Sequence, residues 1–152
     1  MKLNIFHFAV ANLFNFAISN GIIAILVFVV LSNIDRAQSQ VEASMMETDV
    51  ANIRWELREL WAHRNATGQS IAVSELDNAN PLRLVNEQPK NYSGEYAQTP
   101  SEAESIWYFD TKAKRLVYVF KDGHQVRYRL TGTAKRNRAS LGAMGGIDLV
   151  LE

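Results

Sequence analysis

From Leu3 to Ile34 the chain carries no Lys, Arg, Asp or Glu. No other feature narrows the possible folds as much, because an uncharged run of that length is poorly served by water. Its apolar body, IFHFAVANLFNFAISNGIIAILVFVVL, extends from Ile5 to Leu31. As a helix rising about 1.5 Å per residue it reaches about 40 Å. A bilayer core of about 30 Å needs about 20 apolar residues, so the run can span one. Its second half, Ile22 to Leu31, holds no polar residue, whereas His7, Asn12, Asn15, Ser19 and Asn20 interrupt the first. Asn12, Asn15 and Ser19 follow i, i+3, i+7 spacing and so share one helix face. Such a face is either a polar stripe near the membrane end or a helix–helix contact made through amide and hydroxyl groups. These three residues are candidates for protein interaction.

Lys2 would suit a signal peptide, but the apolar core is too long for one. Leu31-Ser32-Asn33 lacks the small-residue cleavage pattern, and too little apolar sequence precedes Ala9-Val10-Ala11. The expectation is an uncleaved single-pass anchor, with the lipid bilayer as its first partner. Asp35 and Arg36 cancel, so the amine and Lys2 place residues 1–4 in the cytoplasm. Residues 5–34 then cross the membrane, and residues 35–152 form a domain on the far side.

Within that domain, residues of about 38–65 are expected to form a helix. Met46, Val50, Ile53, Leu57 and Leu60 repeat at 4-3-4-3 spacing, flanked by Trp55 and Trp61. The seam is short for a free coiled coil, which favours packing onto the rest of the domain. No Pro or Gly lies between Leu31 and Gly68, so this helix can continue directly from the membrane span, with Gly68 as its stop. Residues 69–105 hold all three prolines and show weak periodicity. They read as a loop-rich connection with short helical or extended pieces.

Residues 106–151 form the clearest β region. Ile106 to Phe109 and Leu116 to Phe120 read as strands joined by a turn. Gln125 to Thr131 alternates Val126, Tyr128 and Leu130 against Arg127 and Arg129. The Asp122-Gly123 pair between the last two strands is the dipeptide that tight hairpins prefer. This is a three-stranded antiparallel meander; Thr131 to Gly146 is loop-like and Ile147 to Leu151 a candidate fourth strand. The fold class is therefore α+β: a transmembrane helix continuing into an amphipathic helix, packed on a small C-terminal antiparallel sheet. SIWYFDTKAKRLVYVF, from Ser105 to Phe120, is apolar on both strand faces. That implies cover from the helix seam on one side and from the loop-rich middle on the other.

Lys and Arg number 16, as do Asp and Glu, so there is no net charge to draw nucleic acid or lipid. The balance conceals a segregation. Carboxylates dominate Glu75 to Glu104, and cations dominate Lys112 to Arg138. Two solvated surfaces account for this most simply; a basic face for an acidic partner is the alternative, with Arg127 and Arg129 as its candidates. Absence of cysteine excludes disulfides, thiol nucleophiles and thiolate metal sites. His7, His63 and His124 have no metal-ligand spacing, and Gly142, Gly145 and Gly146 match no nucleotide fingerprint. No serine occupies a nucleophile-elbow pattern. The expectation is a protein without catalysis, cofactor, metal or small-molecule substrate. Tyr118, Tyr128, Arg127 and Arg129 form a pattern that can stack bases and hold phosphate. No RNP-type sequence accompanies them, so aromatics buried beneath a helix are favoured and no nucleic-acid partner is expected. A membrane-anchored module binding an extracellular ligand would require Tyr118, Arg127 and Tyr128 to be exposed.

The order of elements resembles type IV pilins and the pseudopilins of type II secretion. Locally, NPLRLVNEQPKNYSGEY (Asn80 to Tyr96) followed by WYFDTKAKRLVYVF (Trp107 to Phe120) is similar to pilin-like biogenesis proteins of the mannose-sensitive haemagglutinin (MSHA) pilus. The similarity covers about Met46 to Leu130. It implies a pilin-like domain in the bacterial periplasm, an anchor in the inner membrane and partners among pilus-assembly or pilin subunits. Prepilins carry a glycine, usually a phenylalanine after it, and a glutamate four residues further on. Here those places hold Gly21, Ile22 and Leu26. The resemblance thus implies an accessory subunit that stays in the membrane and helps build the pilus. A minor pilin or pseudopilin entering a filament is the alternative.

Overall fold

The structure is a computed structural model and describes residues 2–69, 76–132 and 147–152; before Ile18 only the side chain of Phe16 is described. One helix, α1, spans Lys2–Ala66. Two polar groups of its apolar stretch are satisfied within the helix. Asn20 Nδ2 donates to the Phe16 carbonyl at 2.8 Å, and Ser32 Oγ to that of Phe28 at 2.9 Å. Each bonds four residues back, which lets a polar side chain sit in an apolar stretch. Gly68 ends the helix at φ +73°, a left-handed conformation in which a side chain would be strained, and Gln69 N caps the Arg64 carbonyl at 2.9 Å.

The chain divides into two compact units, Met1–Val41 and Glu42–Glu152. In the first, the apolar side chains described are exposed, with Phe28 at 71 % and Ile25 at 65 %. The helix is long and apolar enough to cross a membrane.

The second unit is built on a five-stranded sheet in the order β1-β2-β3-β4-β5. The strands are β1 (Tyr92–Tyr96), β2 (Ile106–Asp110), β3 (Arg115–Val119), β4 (Gln125–Gly132) and β5 (Ile147–Leu151). β2 through β5 pair antiparallel, as the meander reading expects, and the candidate fourth strand is β5. The sheet is nonetheless mixed. β1 arises in the stretch read as loop-rich and pairs parallel with β2, in a register interrupted between Tyr92 and Glu95. Tyr-Ser-Gly-Glu-Tyr has no apolar alternation, and Gly94 at φ +118° breaks its pleat. Tertiary bonds hold it instead: Trp107 N donates to the Asn91 carbonyl at 3.1 Å, and Thr111 N to that of Tyr96 at 2.8 Å. The Asp-Gly turn is one residue longer than a minimal hairpin. Phe120 N bonds the His124 carbonyl at 2.9 Å, leaving Lys121-Asp122-Gly123 as a three-residue loop with Gly123 at φ +85°. Of the loop expected from Thr131, the first two residues extend β4, and the rest lies outside the described residues.

A parallel neighbour requires a crossover, and residues 97–105 supply it. Ala103 packs on Tyr108, Val117 and Val119, which form a small second cluster. Thr99 Oγ1 and the Tyr108 hydroxyl bond at 2.9 Å, and Tyr96 meets Tyr108 edge-on at 6.3 Å. The main core lies on the opposite face. There Met46, Val50, Ile53 and Leu57 of the helix pack with Leu82, Trp107, Leu116, Tyr118, Phe120, Tyr128, Leu130, Ile147 and Leu149. Both covers expected from the apolar faces of Ser105 to Phe120 are thus present, and the seam is core. Leu60, its last member, is only partly buried.

Candidate functional site

Beside the apolar seam, α1 carries a second row. Glu42, Asp49 and Glu56 recur every seven residues, so they share a face. Each carboxylate binds a different part of the domain. Glu42 Oε1 accepts from Ser105 Oγ at 2.7 Å, from the Tyr118 hydroxyl at 3.1 Å and from Lys121 N at 3.1 Å. Asp49 Oδ2 accepts from Trp107 Nε1 at 2.9 Å. Glu56 Oε2 accepts from Asn86 N at 2.6 Å. Arg54, on the other side of the seam, donates through Nε and Nη2 to the Leu149 carbonyl at 3.1 and 2.7 Å. The guanidinium thereby ties the edge strand β5 to α1. The seam supplies burial, and these side chains fix its register on the sheet.

This row also adds to the displacement of a buried phenol. Burial pushes the Tyr118 phenol well above its ordinary range, and the Glu42 carboxylate it donates to pushes it the same way. Burial likewise raises Tyr128 and Tyr92. Glu95 is displaced downward, chiefly by the Asn80 amide that donates to it at 2.8 Å, with Arg83 contributing through a two-pronged pair. Asn80 also caps the short 3₁₀ turn Pro81–Arg83 by accepting from Leu82 N, and donates to the Tyr92 hydroxyl.

The sequence-predicted interaction residues fall in separate places. Asn12 and Asn15 lie in α1, but their side chains are outside the described residues, whereas Ser19 is exposed. Arg127 and Arg129 share the sheet face turned away from the core, since Arg127 is in register with Val117. Arg127 is exposed, with Nη2 bonded to Gln125 Oε1 at 3.1 Å. Arg129 is partly buried and paired with Glu152 at 2.6 Å, a carboxylate that also holds Arg115 at 2.5 Å. It is therefore a structural cation rather than a free one. The aromatic platform does not exist. Tyr118 and Tyr128 are 3 % and 6 % exposed and lie on the face opposite Arg127. Alternation places hydroxyphenyl and guanidinium groups on opposite sides of a strand, so the same ligand cannot meet both.

Sequence reasoning missed a groove of about 790 Å³ between α1 and residues 86–91. Asp49, Glu56, Glu59 and Glu87 line it, against Lys90 alone among the cations. Met45 and Trp55 edge it and are 64 % and 65 % exposed. Asp49 and Glu56 accept from an indole and from backbone amides, which are neutral donors. The signal was present in sequence: Met45 stands one place before the core position Met46 and Trp55 two places before Leu57, both off the apolar seam. Among the described residues, no group of three or more His, Cys, Asp or Glu is arranged to hold a metal ion. Compared with protein families, with curated proteins and with solved structures, the chain matches none.

Proposed function

We propose that the protein is a non-enzymatic accessory subunit of a type IV pilus of the MSHA kind, anchored in the bacterial inner membrane by its N-terminal helix with its folded domain in the periplasm. The observation that carries this reading is the helix Lys2–Ala66. It is apolar and exposed over Ile22 to Leu31, and it packs an apolar seam onto a small, mostly antiparallel sheet over Met46 to Leu57. A helix of that kind couples a membrane to a domain without supplying a reactive group. The resemblance of Asn80 to Tyr96 and Trp107 to Phe120 to MSHA biogenesis proteins supplies the system. Gly21-Ile22 with Leu26, in place of the prepilin pattern, favours a subunit that remains in the membrane over one that enters the filament.

Mass spectrometry of the N-terminus in purified membranes tests this. An intact Met1 peptide in membranes, together with absence of the protein from sheared pili, is the expected result. A shortened, methylated N-terminus, or recovery in sheared filaments, would replace the reading with that of a minor pilin. Loss of surface pili on deletion, with normal levels of the major subunit, is the accompanying phenotype.

A further inference from the structure

We infer that the groove between α1 and residues 86–91 receives the basic sheet face of a second copy of this chain. Four carboxylates meet there with one lysine, and among the described residues none of the four takes part in an ion pair. The chain as a whole is neutral, so matching positive charge exists on the same molecule. Arg127 is exposed on β4, and Lys112 is exposed in the turn joining β2 and β3; among the described residues neither takes part in an ion pair. A molecule cannot satisfy its own groove with Arg127. The groove includes residues of α1, and Arg127 stands on the sheet face opposite the one α1 covers. A contact made by Arg127 is therefore one between molecules.

Trp55 and Met45 give that contact an apolar centre. A guanidinium lies well over an indole face, and carboxylates around the rim complete its hydrogen bonding. An exposed tryptophan bordered by polar groups is the kind of residue on which interface energy concentrates. Because donor and acceptor patches are different surfaces, the contact is heterologous: a bound pair still offers one free groove, on one copy, and one free basic face, on the other. Like-oriented copies can therefore add in series. This does not depend on the pilus reading, and processing of the N-terminus would leave it intact.

Sedimentation of the full chain in detergent tests the inference. The wild type should self-associate at about 50 mM salt and weaken about tenfold or more at about 500 mM, as screening shortens the reach of exposed charges. The paired variants Glu59→Lys/Glu87→Lys and Lys112→Glu/Arg127→Glu should each lose association. An equimolar mixture of the two should associate again, because the intact basic face of the first variant meets the intact groove of the second. Trp55→Ala should lose association with an unchanged melting temperature. A monomeric wild type, association that survives both charge reversals, or a mixture that fails to pair would each overturn it. Survival would assign the contact to the apolar helix, and a monomer that binds a soluble oligo-lysine peptide would assign the groove to another protein.

Discussion

Two stretches of one helix, Ile22 to Leu31 and Met46 to Leu57, are both rich in apolar residues yet have opposite fates. The first is apolar on every face, and its side chains are exposed: Leu26 is at 59 % and Phe28 at 71 %. The second is apolar only at 4-3-4 positions, and Met46, Val50, Ile53 and Leu57 are 7 % exposed or less. The difference is periodicity rather than hydrophobicity. A stripe can be satisfied by one partner surface, here the sheet. An all-round apolar helix can be satisfied only by surroundings that are apolar on every side. The polar rows beside the stripe sharpen the contrast: Glu42, Asp49 and Glu56 have partners on the domain, whereas Asn20 and Ser32 turn back onto the helix itself.

Substitutions can break that contrast, the largest effect first. Trp107→Ala should cost about 3–5 kcal/mol in chemical denaturation, from lost burial and a cavity. Trp107 is fully buried, its ring lies 4.9 Å from that of Tyr118, and its removal also strips Asp49 of its donor. An unchanged midpoint would show that the sheet does not depend on this core. Leu26→Arg should act on the other stretch alone, opposing membrane insertion by about 2.5–3.5 kcal/mol. Carbonate extraction would read this as protein released from membranes, with the melting of the domain unaltered. Asp49→Ala should cost about 1–3 kcal/mol by orphaning the buried indole N–H, and Asp49→Asn should recover most of it. Equal losses in the two variants would remove the hydrogen bond as the cause.

Two effects of pH are smaller and have opposite signs. The folded phenols of Tyr118, Tyr128 and Tyr92 ionise above their usual value of 10.0. Their contribution is complete below pH 10 and is lost as pH rises through the higher folded values, because the unfolded chain releases those protons first. Melting temperature should fall above about pH 10, less steeply in Tyr118→Phe; identical slopes would remove Tyr118 from the account. Glu95 lies below its usual 4.5, so its contribution is present above that value and is lost as pH falls through the lower folded one. Its side chain is 28 % exposed and solvent screens it. Asn80→Ala should therefore diminish the acid-side loss by well under about 1 kcal/mol.

Much of the fold was legible residue by residue. Val126, Tyr128 and Leu130 alternate because one side of β4 faces the core, and Gly68 ends a helix that nothing before it interrupts. β1 was not legible. Tyr92 to Tyr96 lacks alternation, and its place beside β2 depends on bonds that Asn91 and Tyr96 make with Ser105, Trp107 and Thr111, well separated from them in the chain. Arg127 and Arg129 look equivalent in sequence, two residues apart on one strand face. They are distinguished by Glu152, which reaches Arg129 because β5 lies next to β4.

Sequence by itself determined the local quantities: where an uncharged helix runs, which of its residues form a stripe, and which strands alternate. These depend on periods of 3.6 and 2 and on single residues, all contained within a few neighbours. Only the tertiary structure decided which of the groove-lining carboxylates on α1 also act as clamps. Glu56 and Glu59 are three residues apart and chemically alike. What separates them is whether a backbone N–H from Asn86 arrives within 2.6 Å, and that depends on how a chain segment thirty residues away is folded back.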